Sequence, residues 1–126
     1  VAFVYDDFNV RQVLEKIEYY KYSAMPVIDR SGHYVGTITE GDLLTKIKEE
    51  YTLNIRDAEN IPLKTIRRRM DNQPVRAHAV MEDLIDKAIN QNFVPVVDDN
   101  NIFVGIVTRR AIIQYLFNKE KHNENS

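Results

Sequence analysis

Two stretches of the chain place apolar residues three and four positions apart, which is the spacing along one face of a helix. These residues are Val10, Val13, Leu14 and Ile17 in the first stretch, and Met81, Leu84, Ile85 and Ala88 in the second. Asn9 directly precedes the first stretch and Gln12 follows three residues later, a spacing that predicts a capping box. The hydrophobic pattern therefore predicts one amphipathic helix in each half of the chain.

Each predicted helix is followed by two short apolar runs that a polar turn separates, and then by a closing helix. The predicted strands are 24–28 and 33–38 in the first half, and 93–97 and 102–107 in the second. The apolar positions of the closing helices are Leu43, Leu44 and Ile47, and Ile112, Ile113 and Leu116. With a first strand ahead of each opening helix, both halves have the order β-α-β-β-α, and the predicted fold class is α/β (α+β).

The two halves carry identical residues at matching places in this pattern. Four pairs lie 69 positions apart without a gap, namely Pro26 and Pro95, Asp29 and Asp98, Gly36 and Gly105, and Thr39 and Thr108. Such a fixed offset indicates a tandem duplication. Since neither copy can bury its apolar faces alone, we expect the two copies to pack as one module with pseudo-twofold symmetry.

The repeat and the changes in composition divide the chain into four parts. We place the first copy at 1–51, a linker with a short helix at 52–70, the second copy at 71–117 and a polar C-terminal tail at 118–126. The tail lacks apolar periodicity, so we expect it to be frayed.

The linker is polar as far as Pro62, and the short helix is predicted over 63–70. The charge run Arg67–Arg69 is interpreted as a solvated face of that helix, because no aromatic residue interrupts it as in a nucleic-acid contact. At the other end of the chain, the strand-like run begins at Val1 without a methionine, so we expect native residues to precede it.

Composition narrows the class of protein. The 126 residues are 44% hydrophobic and 29% charged, as in globular proteins, and the chain has no Cys for disulfides, thiolate zinc sites or cysteine catalysis. No apolar run reaches the roughly 20 residues that a membrane helix needs. A net charge of −2 gives no general attraction for nucleic acid. We therefore expect a cytoplasmic protein without membrane or nucleic-acid partners.

The residues that usually carry catalysis are scattered. His33, His78 and His122 match neither a catalytic triad nor a metal-ligand spacing, and four glycines in total do not supply a glycine-rich phosphate loop. We expect no enzyme activity, no catalytic residues, no metal and no cofactor.

The proline-led strands and the segments that follow them resemble a known family. Met25–Asp29 with Gly36–Asp42, and Val94–Asp98 with Gly105–Arg110, are similar to the markers of paired cystathionine-β-synthase (CBS) domains, the Bateman module. The resemblance implies a regulatory sensor that binds an adenosine nucleotide in clefts between the copies. Such ligands are AMP, ADP, ATP, S-adenosylmethionine and cyclic di-AMP. It also implies a homodimer that signals to a protein partner by a conformational change.

In the first implied cleft, the family pattern assigns the ribose contact to Thr39 and Asp42. The base would be enclosed by residues of the other copy: Arg76, Ala77, Phe93, Val94 and Pro95. Thr39 and Asp42 also fit a helix cap, with the hydroxyl on a backbone N–H and the acid in the first turn, and one arrangement does not exclude the other.

The second implied cleft departs from the pattern, because Ala111 stands at the position that matches Asp42. Thr108, Arg109 and Arg110 there predict an anion site at a helix N-terminus. The residues expected to face them are Ala2, Tyr22, Ser23, Ala24 and Pro26. This combination is similar to stand-alone CBS-pair proteins that bind cyclic di-AMP in Gram-positive bacteria. The alternative is that both arginines are solvated or pair with acids of a neighbouring chain.

Two other functions stay open at this point. The chain could be a structural dimerisation module with degenerate pockets, or a sensor fragment of a longer transporter, channel, kinase or transcription regulator. A dimer is expected in either case, since Ile112–Ile113 and Leu116–Phe117 are predicted to leave apolar surface on the closing helix.

Overall fold

The computed structural model describes residues 2–50 and 54–124. It divides into two compact units, Val1–Asp71 and Asn72–Ser126, each with one three-stranded sheet. The predicted start of a strand at Val1, the proposed copy boundary at residues 51 and 52, and the last two tail residues lie outside the described part of the chain.

The first unit has the predicted order of elements. These are β1 (Val4–Tyr5), α1 (Val10–Tyr20), β2 (Ala24–Ile28), β3 (Tyr34–Thr39) and α2 (Glu40–Glu49). β2 lies in the middle of the sheet, parallel to β1 and antiparallel to β3. The capping box predicted for α1 is confirmed by reciprocal hydrogen bonds of 2.9 Å and 2.8 Å between Asn9 and Gln12.

The second unit repeats this arrangement. Its elements are β4 (Val75–Arg76), α3 (Met81–Ala88), β5 (Phe93–Val97), β6 (Phe103–Thr108) and α4 (Arg109–Glu124). Its sheet has the same strand directions, and the register shifts at Val27/Ile28 and at Val96/Val97, positions separated by the sequence offset of the repeat. The mixed α and β fold class with a duplicated β-α-β-β-α unit is confirmed.

The repeated aspartates explain why both hairpins turn in the same way. Asp29 Oδ1 accepts hydrogen bonds from the backbone N–H groups of Ser31 and His33. Asp98 Oδ1 accepts the corresponding bonds from Asn100 and Ile102. An aspartate that holds two backbone amides fixes a tight turn and therefore sets the pairing of the flanking strands.

Each unit has its own hydrophobic core. In the first unit, α1, α2 and the sheet enclose residues such as Val13, Met25 and Leu43. The segment between the two repeats, residues 54–71, which we call the connector, adds four more buried side chains to this core, namely Ala58, Ile61, Leu63 and Ile66. In the second unit the buried cluster consists of Val75, Ala88, Val94 and Ile112, with partly buried neighbours around it.

The connector differs from the sequence-based expectation. Helical turns are confined to Asp57–Asn60 and Leu63–Thr65, so the predicted helix is wrong beyond Thr65. Residues 66–71 instead run without helical structure beside β3, because Asp42 binds the Arg69 amide and the Thr37 amide binds the Asp71 side chain, as described below. The helical part of the interpretation of Arg67–Arg69 is therefore also wrong, whereas Arg67 and Arg69 are exposed as expected.

The C-terminal segment differs as well. α4 continues to Glu124, so a frayed tail from residue 118 is wrong for the described part. The segment contains Lys and Glu and no Gly or Pro, so local propensity extends the helix without apolar periodicity. Of the residues expected to be exposed on this helix, Ile112 is buried, whereas Ile113, Leu116 and Phe117 are exposed.

Candidate functional site

In the first unit, Thr39 and Asp42 begin α2 with reciprocal hydrogen bonds. The Asp42 amide donates to Thr39 Oγ1 and the Thr39 amide donates to Asp42 Oδ2, both over 3.1 Å. Oδ1 of Asp42 accepts a further hydrogen bond of 3.2 Å from the Arg69 amide of the connector. The predicted capping role is thus confirmed, and the carboxylate, which is only 6% exposed, also holds the connector.

A second carboxylate holds the connector against β3, and sequence reasoning missed it. Asp71 Oδ1 accepts a hydrogen bond of 2.9 Å from the Thr37 amide and one of 2.7 Å from Arg68 Nε. Gly36 lets these groups approach, because a Cβ there would lie 2.5 Å from Arg68 Nε and closer still to Asp71. No local motif signals this contact, since Thr37 and Asp71 are far apart in the chain.

This contact and the burial around it shift the pKa values of Asp71, Arg68 and Tyr34. Partial burial opposes ionisation of Asp71, but the hydrogen bonds from Arg68 and from the Thr37 amide lower its pKa below the usual value. The hydrogen bond to Asp71 raises the pKa of Arg68. Burial raises the pKa of Tyr34 to about 12, and its hydroxyl lies 2.6 Å from Thr37 Oγ1. The connector is therefore bound through an ionised carboxylate.

In the second unit, Arg109 has a role that neither interpretation anticipated. Its Nε donates over 2.7 Å to the Ala88 carbonyl and its Nη2 over 3.1 Å to the Ile89 carbonyl. These carbonyls lie at the C-terminal end of α3, where a cation is favoured by the helix dipole. Thr108 Oγ1 accepts from the Ala111 amide over 3.1 Å. Arg110 is exposed and makes no side-chain hydrogen bond or ion pair with residues 2–50 or 54–122.

The other residues assigned to the first cleft lie around β4 and β5. Arg76 Nη1 donates to the Asp98 carbonyl over 3.1 Å, and the Ala77 amide donates to the Val97 carbonyl. Phe93, Val94 and Pro95 are all buried on β5, and Val94 belongs to the core of the unit. The Val94 side chain is thus committed to packing.

The residues assigned to the second cleft from the first unit are divided between surface and core. Tyr22 is 45% exposed and stacks on Tyr20 with 5.7 Å between ring centroids. The Ser23 carbonyl accepts a hydrogen bond of 3.0 Å from the Glu40 amide. Ala2 and Pro26 are buried, and Ala2 is part of the hydrophobic core.

The strand register brings residues of the two predicted clefts side by side within each unit. Ala24 is paired with Thr39 across β2 and β3, and Phe93 with Thr108 across β5 and β6. These pairs place Ala24 with Thr39, and Phe93 with Thr108, at the open end of each hairpin. Arg76 and Ala77, which were assigned to the first cleft, instead lie beside Val97 at the turn end of β5. The completion of each cleft by the other unit stays a prediction.

Sequence reasoning also missed an amide cluster that holds the beginning of β5. Gln91 is buried; its Oε1 accepts from the Gln73 amide over 2.8 Å, and its Nε2 donates to the Gln73 carbonyl over 3.1 Å. Asn72 donates to the Phe93 carbonyl over 3.1 Å. Isolated amide residues carry no sequence signal for such a cluster, because its members lie about 20 positions apart.

The second unit also has an open apolar groove, which we call the α3–α4 groove. It has a volume of about 580 Å³. Its lining residues are Ile85, Ala88, Ile89, Arg109, Ile112, Ile113 and Leu116. Arg109 is the one charged side chain in this set, so the residue at the start of α4 belongs both to the predicted anion site and to the groove.

The described residues contain neither a metal-binding cluster of side chains nor a helix that could span a membrane. No group of three or more His, Cys, Asp or Glu side chains there is placed to hold a metal ion. None of the helices found in residues 2–50 and 54–124 has the length and apolar character needed to cross a membrane.

Comparison with known proteins gives the context of this fold. The uncharacterized protein MJ1225 of Methanocaldococcus jannaschii is 25% identical over 98% of this chain and 48% of its own length. The chain spans about half the length of the first curated relatives that it matches. A solved structure of CbpB in complex with c-di-AMP is 25% identical, with a TM-score of 0.81 over 99% of this chain and 81% of that chain.

A second solved structure, CBSX2 in complex with AMP, has a TM-score of 0.74 over 95% of this chain and 90% of that chain. At 24% identity this similarity shows the fold alone. The CBS domain family matches the sequence at residues 1–49 and 58–118, one match in each repeat. The matched segments, the duplicated sheet register and the structural neighbours agree, and the chain belongs to the CBS domain family.

Proposed function

We propose that this CBS pair is a regulatory sensor that binds an adenosine nucleotide, with its phosphate at Thr108–Arg110. The observation that carries the proposal is the state of the two arginines. Arg110 is exposed and makes no side-chain hydrogen bond with the described residues, and Nη1 of Arg109 likewise has no hydrogen-bond partner among them. Two guanidinium groups at the start of a helix favour a phosphate, because planar N–H donors match its oxygens and the helix dipole favours an anion.

The similar proteins support the class of ligand. One neighbour of this fold was solved with c-di-AMP and another with AMP, and both ligands combine adenine with phosphate. A cyclic dinucleotide has two phosphates and therefore suits two arginines better than a nucleoside does. We propose c-di-AMP as the first ligand to test at the second cleft, with AMP, ADP and ATP as alternatives.

At the first cleft we propose that Asp42 and Thr39 receive the ribose. Each carboxylate oxygen of Asp42 already accepts one backbone hydrogen bond and has a second lone pair available. Because β4 pairs with the turn end of β5, Arg76 and Ala77 lie away from Phe93 and are left out of this proposal. Phe93, Val94 and Pro95 would enclose the base, with Val94 contributing backbone atoms only, since its side chain is in the core. Ala2, Tyr22, Ser23, Ala24 and Pro26 would do the same at the second cleft.

The test is isothermal titration of the purified chain with adenosine, AMP, ADP, ATP, S-adenosylmethionine and c-di-AMP. We expect Arg110→Gln to weaken phosphate-bearing ligands about tenfold or more, because it removes a charge-assisted hydrogen bond. Adenosine, which lacks phosphate, is expected to keep its affinity. Arg56→Gln is the matched control, since Arg56 is an exposed arginine in the connector.

The outcomes are distinct. Equal affinities of all nucleotides for the wild type and Arg110→Gln would contradict the phosphate assignment. Absence of binding across the whole panel would contradict the sensor proposal. That second result would favour a structural dimerisation module, for which the exposed Ile113 and Leu116 of the α3–α4 groove supply an apolar surface.

Since the chain spans about half the length of its first curated relatives, the partner and the output of the sensor are also proposals. We propose that ligand binding changes the conformation of a homodimer and thereby the surface that a protein partner recognises.

A further inference from the structure

Arg109 connects two elements of the second unit through one edge of its guanidinium group. Nε and Nη2 form that edge, and they donate to the Ala88 and Ile89 carbonyls over 2.7 Å and 3.1 Å. The last carbonyls of a helix have no hydrogen-bond donor within the helix, so the Arg109 guanidinium supplies donors to the end of α3. Because Arg109 is the first residue of α4, the contact ties the start of α4 to the end of α3.

The adjacent edge of the same guanidinium, formed by Nη1 and Nη2, is open. The group has five N–H donors in a rigid plane, of which two bond α3; Nη1 has no hydrogen-bond partner within residues 2–50 and 54–122. An anion that binds Nη1 and the remaining Nη2 hydrogen lies in the plane of the group, on the side away from the α3 carbonyls. One side chain can therefore hold a phosphate and the end of α3 at the same time.

The end of α3 is also a wall of the α3–α4 groove, which Ala88, Ile89 and Arg109 line together with the apolar residues of α4. We propose that Arg109 transmits phosphate occupancy at Thr108–Arg110 to the C-terminal end of α3 and so to this groove. The inference rests on the nucleotide binding proposed above. A phosphate on the outer edge restricts the rotamers of Arg109, keeps its inner edge on the two carbonyls and stabilises the last turn of α3.

The experiment is amide hydrogen exchange of the full chain with and without saturating c-di-AMP, with binding measured by titration on the same samples. The reporters are the amides of Ile89 and Asn90, which donate to the Ile85 and Lys87 carbonyls and exchange only when the end of α3 opens. We expect the ligand to slow their exchange about two- to fivefold, the range for a charge at a helix end. The capped start of α1 in the first unit serves as the reference.

Two variants separate the roles of the arginines. Arg109→Gln is expected to speed exchange at Ile89 and Asn90 without ligand and to abolish the slowing at saturation. Arg109→Lys keeps the charge, but one ammonium group cannot span both carbonyls and a phosphate, so it is expected to show the same loss with less risk to folding. Arg110→Gln is the matched control. This variant is expected to need a higher ligand concentration for saturation, but at saturation the ligand should still slow exchange at Ile89 and Asn90.

Failure of this inference and failure of the proposed function give different results. If the wild type binds neither c-di-AMP nor another nucleotide, the sensor function and the transmission by Arg109 are both wrong. If the wild type binds but exchange at Ile89 and Asn90 is unchanged, the transmission by Arg109 is wrong and the sensor function stands. The same conclusion follows if the ligand slows exchange equally in the wild type and in both Arg109 variants.

Discussion

The two units share strand order, strand register and hairpin turns, yet they differ in what covers their helices. In the first unit the connector packs against α1 and buries Ala58, Ile61, Leu63 and Ile66 in the core. In the second unit the surface between α3 and α4 is an open groove that exposes Ile113 and Leu116. The duplication therefore set the framework of each unit, and a segment outside the repeat enlarged the core of the first unit. It does not cover the face that matches the groove, since Leu44, the counterpart of Ile113 in the repeat, is 64% exposed.

The helices that close the two units also begin differently. Asp42 completes a reciprocal cap with Thr39 and holds the connector. In the second unit the Ala111 amide donates to Thr108 Oγ1, but alanine has no side-chain oxygen to accept from the Thr108 amide in return. α4 begins instead with Arg109, which reaches back to the end of α3. A carboxylate near one helix start and a guanidinium at the other give these two helix starts opposite charge.

The largest effect should come from the connector. Ile61→Ala removes a buried side chain from the first unit and is expected to lower the free energy of unfolding by about 2–4 kcal/mol. Ile113→Ala makes the same truncation on the open groove and should cost about 0.5 kcal/mol or less, because Ile113 is 52% exposed. Urea denaturation followed by circular dichroism measures both. Equal losses would mean that the connector does not bury Ile61 in the core of the first unit.

A smaller effect is expected from exchanging the helix starts. Asp42→Ala leaves the amides of Thr39 and Arg69 without their acceptor and should destabilise the chain by about 1–2 kcal/mol. Ala111→Asp, which copies the first unit into the second, should stabilise it by about 0.5 kcal/mol through the cap and the helix dipole.

Thermal unfolding measures both of these changes. The comparison of the two helix starts would be wrong if Ala111→Asp destabilised the chain as much as Asp42→Ala does.

The smallest effect concerns pH. The pKa of Asp71 is lower in the folded chain than in the unfolded one, because the hydrogen bonds from Arg68 and from the Thr37 amide outweigh the effect of burial. Its contribution to stability is therefore complete above the unfolded value of about 3.9 and is lost as pH falls through the folded pKa. Urea midpoints between pH 6 and pH 2.5 should fall less steeply for Asp71→Asn than for the wild type. Parallel curves would show that Asp71 does not hold the connector as a carboxylate.

Short-range contacts of the fold and of the candidate site were predictable from the sequence. The Asn9–Gln12 and Thr39–Asp42 caps join residues three positions apart, so a local pattern contains the whole interaction. The bonds from Thr37 to Asp71 and from Arg109 to Ala88 join residues 34 and 21 positions apart. No sequence spacing encodes such pairs, because they exist only after the sheet and helices have packed.

The sequence by itself determined the duplicated β-α-β-β-α order and the family. The reason is that the hydrophobic period and the turn residues specify each element locally, and the same signals recur at a fixed offset in the second copy. Only the tertiary structure decided the path of the connector and the partners of Arg68, Asp71 and Arg109. The sequence around these polar side chains is compatible with several different hydrogen-bond partners. Which partner each side chain binds depends on the backbone groups that the folded units leave unpaired within its reach. For the same reason Arg109, which sequence chemistry assigned to a ligand, is bound in the structure to the end of α3.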